Sequence, residues 1–210
     1  MASKLYMRVA LYLAWLAAAG AGAALVMKYE SAAGSAGATP RHWSSAAQIS
    51  LERDRATLLM FAHPHCPCTR ASIGELNRLL ARCEGKVAAH VLFLQPSDFA
   101  DDWAHTDSWR SAAAIPGVSV HDDRDGQLAR RFGAETSGFV VLYDAGGELL
   151  FKGGITAARG QAGDNTGANL IVSFLEQKRP SLEQTPVYGC GLLNQCAAST
   201  DDQNHAPSSN

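Results

Sequence analysis

The chain as a whole carries no large excess of one charge. Its 210 residues hold 18 Lys and Arg against 20 Asp and Glu, a net charge of −2, so nothing points to a nucleic acid or an acidic partner. No segment repeats at the period of a solenoid or propeller. The Gly-rich stretch Gly153–Gly167 (GGITAARGQAGDNTG) lacks the Gly-Lys-Ser/Thr ending of a phosphate-binding loop, which excludes that mode of nucleotide binding. The acidic turn Asp122-Asp123-Arg124-Asp125-Gly126 lacks the later bidentate carboxylate of a calcium loop. There is no CxxC and no His-x₃-His to complete a zinc site. The five cysteines are Cys66, Cys68, Cys83, Cys190 and Cys196, an odd number, so at least one stands outside any intramolecular disulfide.

One stretch organises what is present. The apolar run Leu58–Ala62 reads as a buried strand. It enters His63-Pro64-His65-Cys66-Pro67-Cys68 and then a helical pattern with Ile73, Leu76, Leu79 and Leu80 on one face. Two thiols therefore lie at a strand-to-helix junction, where backbone N–H groups and the positive end of the helix dipole stabilise a thiolate. Pro67 suits the first helical position, which puts Cys66 at the cap as the most exposed and electropositive thiol, and Cys68 in the first turn.

The N-terminus carries Lys4 and Arg8 and then Val9–Met27 without a charge. Such a run just spans a bilayer, and the preceding cations place the N-terminus in the cytoplasm. The expected organisation is a transmembrane anchor or signal peptide at 1–28, a flexible Ala/Gly/Ser-rich linker at 29–45, a folded domain at 46–196 and a disordered tail at 197–210. The anchor reading makes the chain a single-pass protein of the inner membrane, with its domain on the periplasmic, extracytoplasmic side.

Within the domain, strands at Leu58–Ala62, Val87–Leu94, Val118–His121, Phe139–Tyr143 and Glu148–Lys152 alternate with helices at 67–83, 108–114, 127–132 and 169–177. Asp144-Ala145-Gly146-Gly147 reads as a hairpin turn. The fold class is α/β, a central mixed sheet flanked by helices.

This order resembles the thioredoxin-like superfamily, in its TlpA-like and peroxiredoxin-like branch. The segments MFAHPHCPCTRASIGEL and VHDDRDGQLARRFGAETSGFVVLYDAGGELLFKGG carry the resemblance. The anchor, CPCT, TSG and VYGCGLL together are similar to RedB-type membrane-anchored thioredoxin-like proteins. The resemblance implies a thioredoxin-like fold, a redox disulfide without a cofactor, and a protein thiol or disulfide substrate or a membrane electron donor as partner. The chain departs from the superfamily at two points. Cys66-Pro67-Cys68 replaces CxxC, and Glu135-Thr136-Ser137-Gly138 has no proline where the family places a cis-proline facing the site. The peroxidase motif of peroxiredoxins is also absent.

Residues two apart diverge on a helix, so a Cys66–Cys68 disulfide requires a distorted junction. Either Cys68 or Cys190, the latter in a Gly-flanked loop, is the expected partner of a nucleophilic Cys66. Cys190 and Cys196 are alternatively a plain structural bridge, and Cys83 is a buried small hydrophobe. His63, Pro67, Thr136 and Ser137 are expected to face the substrate, with a cationic His lowering the thiol pKa. The alternative chemistry is a soft metal site of Cys66, Cys68 and His65 for Cu(I) or Zn.

Overall fold

The computed structural model describes residues 2–43, 49–83, 85–178 and 180–193. The expected boundary at residue 46, Cys196 and the tail at 197–210 lie outside the described residues. The chain divides into two units, Met1–Ala32 and Ala33–Asn210.

The first unit is helix α1, Ala2–Glu30. Its Ala- and Leu-rich sequence favours a helix, and no charge interrupts it between Arg8 and Lys28. At 1.5 Å per residue it is about 43 Å long, more than the roughly 30 Å of a bilayer's hydrocarbon core. It is long and apolar enough to cross a membrane.

The second unit is built on five strands: β1 Ala56–Ala62, β2 Val87–Gln95, β3 Val118–Arg124, β4 Phe139–Tyr143 and β5 Leu149–Gly154. They lie in the order β3-β2-β1-β4-β5. β1, β2 and β3 are mutually parallel, and β4 and β5 run antiparallel. The helices are α2 Thr69–Arg82, α3 Asp107–Ala113, α4 Gln127–Phe132 and α5 Thr166–Leu175. A β-α-β unit, an antiparallel hairpin and a closing helix on one mixed sheet make the thioredoxin-like fold, with α3 and β3 inserted between β2 and α4.

β1 is central and buried on both faces, which is why its sequence is continuously apolar. Alternation sends Leu58, Met60 and Ala62 to one side with Ile73, Leu76 and Leu79 of α2 and Ala168 and Ile171 of α5. It sends Leu59 and Phe61 to the other side with Leu128 and Phe132 of α4 and with Val187 and Leu192. The C-terminal end of β1 is thereby fixed from both sides, and the Cys66 turn hangs from it.

Several expectations need correction. The segment expected to be a flexible linker is part of the domain from Ala33 onward. Gly34 N–H donates to Val187 O at 2.8 Å, and Gly37 N–H donates to Gly133 O at 2.8 Å. Tyr143 OH donates to Pro40 O at 2.7 Å, and the Trp43 ring meets Tyr143 edge-on at 5.2 Å. Small residues there serve close approach rather than flexibility: a Cβ on Gly34 would strike the Thr136 side chain.

Helix α2 begins at Thr69, with Cys68 as its N-cap, rather than at Pro67. Thr69 N–H donates to Cys66 O at 3.1 Å, so Cys66–Thr69 closes as a separate turn before the helix. β3 continues through Arg124, since Asp123 is needed at its end: its carboxylate accepts from Leu128 and Ala129 N–H, both at 2.8 Å, and caps α4. α5 starts at Thr166 because the Asn165 side chain accepts from Ala168 N–H at 2.8 Å.

Candidate thiol site

Cys66 leaves β1 through a turn in which its N–H donates to His63 O at 3.2 Å. The turn is pinned from below by buried polar groups. Ser137 Oγ accepts His63 N–H at 2.9 Å and bonds Thr69 Oγ1 at 2.9 Å, and Thr69 Oγ1 donates to His63 O at 3.0 Å. Ser137 and Thr69 are each 1% exposed. This triangle ties the start of α2, the end of β1 and the approach to β4 into one piece. Next to it, Gly138 N–H donates to Phe61 O at 2.8 Å. Gly138 has φ +89°, and a Cβ there would press on Ser72 Oγ, so glycine is required.

Cys66 is buried, only 4% exposed, and so is not the exposed cap expected from its position. The cover is the segment 187–192. Ser137 N–H donates to Cys190 O at 2.9 Å, and Leu192 N–H donates to Glu135 O at 2.7 Å. Thr136 and Gly191 form an antiparallel bridge. Val187 and Leu192, at 2% and 1% exposure, sink into the core on either side of Cys190. The Sγ atoms of Cys66, Cys68 and Cys190 all lie within 4.8 Å of one another.

The electrostatics distinguish the three thiols. Burial alone would raise the Cys66 pKa, but hydrogen bonds from the Cys190 thiol and N–H and from the N–H groups of Cys68 and Thr69 outweigh it, and its pKa falls below that of an ordinary thiol. Cys68 is raised by burial and by the charge of Cys66. Cys190 is pushed up to about 12 by burial and by donating to Cys66. Of the three thiols Cys66 is therefore the one most readily ionised, while Cys190 keeps its proton and donates it as a hydrogen bond.

The structure brings Cys66, Cys68 and Cys190 together and sends the other candidates elsewhere. His63 is 4% exposed, and burial followed by the neighbouring His65 lowers its pKa to about 4. It is therefore neutral near pH 7 and does not supply the expected cation. Its Nδ1 accepts from His65 N–H at 3.2 Å. His65 is exposed, its ring lies 4.5 Å from Trp103, and its Nε2 is 3.2 Å from Trp103 O. The cluster of donors close enough to share an ion is Cys66, Cys68 and Cys190, and among the described residues it does not include His65. Pro67 is exposed on the turn. The Thr136 hydroxyl donates to Ser35 O at 2.7 Å. The hydroxyls of Thr136 and Ser137 are thus both engaged within the scaffold, and it is the Ser137 backbone that meets the Cys190 segment. Cys83 is buried in the core at the end of α2.

One residue that supports the site escapes sequence reading. Glu75 on α2 is 4% exposed. It accepts from Gly163 N–H at 2.6 Å and from Asn165 Nδ2 at 3.3 Å, and pairs with Arg78. It thereby anchors the Gly-rich loop to the helix that follows the thiols. Arg159 of that loop donates to Gly189 O and lowers the pKa of both Cys68 and Cys190 by its charge. The only sequence signal for Glu75 was a carboxylate one turn before Leu79, on the apolar face of α2.

No family model matches the chain, and no curated protein matches it. Solved structures do. An uncharacterised conserved protein from Geobacillus kaustophilus superposes with a TM-score of 0.56 at 19% identity, over 68% of this chain and 78% of that one. A hypothetical protein from Sinorhizobium meliloti gives 0.57 at 21% identity, over 79% and 98%. A secreted Mycobacterium tuberculosis disulfide oxidoreductase gives 0.42 at 16% identity, over 60% and 84%. At these identities the likeness is one of fold.

Proposed function

We propose that this chain is a membrane-anchored, extracytoplasmic thiol–disulfide oxidoreductase of thioredoxin-like fold, with Cys66 as nucleophile and Cys68 or Cys190 as its partner. One observation carries the reading. A buried thiol at the β1–α2 junction has its thiolate stabilised by four hydrogen bonds from Cys190, Cys68 and Thr69, with two further thiols within 4.8 Å. That is an activated nucleophile beside its resolving groups, and no cofactor is needed. Helix α1 would hold the domain at the inner membrane. Lys4 and Arg8 ahead of the apolar run support a domain outside the cytoplasm, where disulfides persist. The RedB-type likeness of the sequence supports the same placement. Thiol trapping and mass mapping of the full chain in detergent, across a series of redox buffers, test this. A reversible two-electron couple at Cys66 is expected; a Cys66 that never oxidises reversibly overturns the reading.

A second reading has its own support, because three sulfurs converge within 4.8 Å. Cys66, Cys68 and Cys190 would hold a soft ion, Cu(I) being suited to a site of three sulfurs. Stoichiometric Cu(I) that is lost in Cys66→Ser and kept in His65→Ala, together with no redox couple at Cys66, would favour delivery of metal over oxidation of thiols.

A further inference from the structure

The backbone beside Cys66 is already paired. Glu135 O and Ser137 N–H would be open to any extended chain laid alongside them. Both are taken by the protein's own residues, through Leu192 N–H and Cys190 O. The pairing is antiparallel, as in strand addition at a sheet edge. It is fastened on each flank, by Val187 and Leu192 in the core, by Gly34 N–H on Val187 O and by Arg159 on Gly189 O. Gly189 makes the approach possible. A Cβ at that position would run into the Ser137 carbonyl oxygen, so any other residue would push the segment off the bridge.

The same pairing aims Cys190 at Cys66, since both its N–H and its S–H face the Cys66 sulfur. Cys68 also lies within 4.8 Å of Cys66 and hydrogen-bonds its sulfur, but from within the same turn rather than from a paired strand. It sits two residues from Cys66 and caps α2 with helical φ −69° and ψ −24°, so a disulfide between the two requires a distorted junction.

We infer that Cys190 is the built-in redox partner of Cys66, held in the strand position beside it by Gly189, and that Cys68 stands outside this couple. The inference rests on the oxidoreductase reading and names the second sulfur of its disulfide. With a low-molecular-weight disulfide RSSR as oxidant, the Cys66 thiolate attacks one sulfur, the RS–SR bond breaks, a Cys66–SR bond forms and RS⁻ departs. Forming that mixed disulfide removes the negative charge to which Cys190 was donating. Cys190 then loses its proton to the departing RS⁻ and attacks Cys66 Sγ. The Cys66–Cys190 bond forms, the Cys66–SR bond breaks and a second RS⁻ leaves. Two electrons pass from the two protein thiols to RSSR, and the reverse sequence oxidises an external dithiol. Gly189 is a positioning residue in this scheme, since it touches neither reacting sulfur's partner in solution nor the oxidant.

The test equilibrates the full chain in detergent with oxidised and reduced glutathione, alkylates free thiols, digests and maps disulfides by mass. The wild type and Cys68→Ser are expected to yield Cys66–Cys190. In Cys190→Ser a Cys66–glutathione mixed disulfide is expected to accumulate. Gly189→Ala keeps every thiol, yet its equilibrium yield of Cys66–Cys190 is expected to fall about tenfold or more, as expected when a backbone clash displaces a packed segment. A wild type that forms Cys66–Cys68, with Cys190→Ser unchanged, overturns the inference and leaves the oxidoreductase reading standing. Absence of any reversible disulfide at Cys66 in all four proteins overturns both. Should Gly189→Ala fail to fold, the contrast between Cys68→Ser and Cys190→Ser decides alone.

Discussion

Ser137 donates its backbone N–H to the carbonyl of Cys190 at 2.9 Å. The two residues are far apart in sequence, and this bond joins the approach to β4 to the segment that covers Cys66. Its partner on the other side of Thr136, Leu192 N–H to Glu135 O at 2.7 Å, completes the bridge. The reactive junction at the end of β1 is therefore closed over by the C-terminal part of the domain, and the properties of Cys66 depend on residues more than a hundred positions away.

The first consequence concerns acidity. Cys190 is protonated near pH 7, its pKa pushed up to about 12, and its S–H is among the donors that hold the Cys66 thiolate. Cys190→Ala removes that donor and keeps the backbone N–H. A hydrogen bond to a charged acceptor contributes roughly 1.5–3 kcal/mol, or about one to two pH units. The midpoint for alkylation of Cys66 by iodoacetamide is expected to rise by about that much in Cys190→Ala and to move less in Cys190→Ser, which keeps a donor. Equal midpoints in wild type and Cys190→Ala would show that the S–H does not stabilise the thiolate.

Ser137 also anchors the site through its side chain. Ser137→Ala strips the acceptor from His63 N–H and a partner from Thr69, both buried. Leaving a buried donor unmet costs about 1–3 kcal/mol. Urea unfolding should show a loss of that size with an unchanged m-value. Ser137→Thr, which keeps the hydroxyl, separates the lost hydrogen bond from simple crowding.

Much of the fold was legible because β1 and α2 carry unambiguous patterns. Phe139–Tyr143 and Gln127–Phe132 have the same limits in sequence and structure, since a β-rich run and Gly126 and Gly133 at φ +65° and +71° mark their ends. The strap at 33–43 was not legible. Its Ala, Gly and Ser read as a tether, but Gly34 and Gly37 are small because Thr136 and Gly133 lie against them. Composition alone does not separate a glycine that confers freedom from one that permits contact. The convergence of Cys190 on Cys66 was open to sequence only as one of two pairings, because it depends on a bridge between residues distant in the chain. The neutrality of His63 was hidden for a similar reason: Trp103 and Ser137, distant in the chain, pack and bond against it.

The strap makes a prediction for the design of soluble fragments. A chain starting at Ala33 keeps the Tyr143–Pro40 hydrogen bond, the Gly34 and Gly37 bonds and the Trp43 contacts with Phe132 and Tyr143. A chain starting at Glu52 loses all of them and exposes the Phe132 and Tyr143 rings. The longer fragment is expected to be more stable by several kcal/mol and to unfold at a correspondingly higher urea midpoint, with about 0.5–1.5 kcal/mol from each hydrogen bond and each aromatic pair. Equal midpoints would return the segment to the role of a linker.

His63 links the site to pH. Its pKa is about 4 in the folded protein against 6.5 for an ordinary histidine, because burial disfavours the charged ring and His65 adds to the effect. The sign follows from proton uptake. Above pH 6.5 the ring is neutral in both folded and unfolded chains, and the folded state loses nothing. Between about 6.5 and 4 the unfolded chain binds a proton that the folded chain does not, so stability falls with falling pH across that window. His90 has the same lowered value, about 4, for the same first cause, burial, and contributes to the same slope. Comparing His63→Gln with the wild type isolates the first ring, since His90 and the carboxylates are common to both. The stability difference between the two proteins, read from urea midpoints, is expected to shrink in disfavour of the wild type as pH drops from 7 to 4.5. A difference that stays flat over that range would mean that His63 takes up its proton in place, and a cationic ring beside Cys66 would then return as a source of thiolate stabilisation.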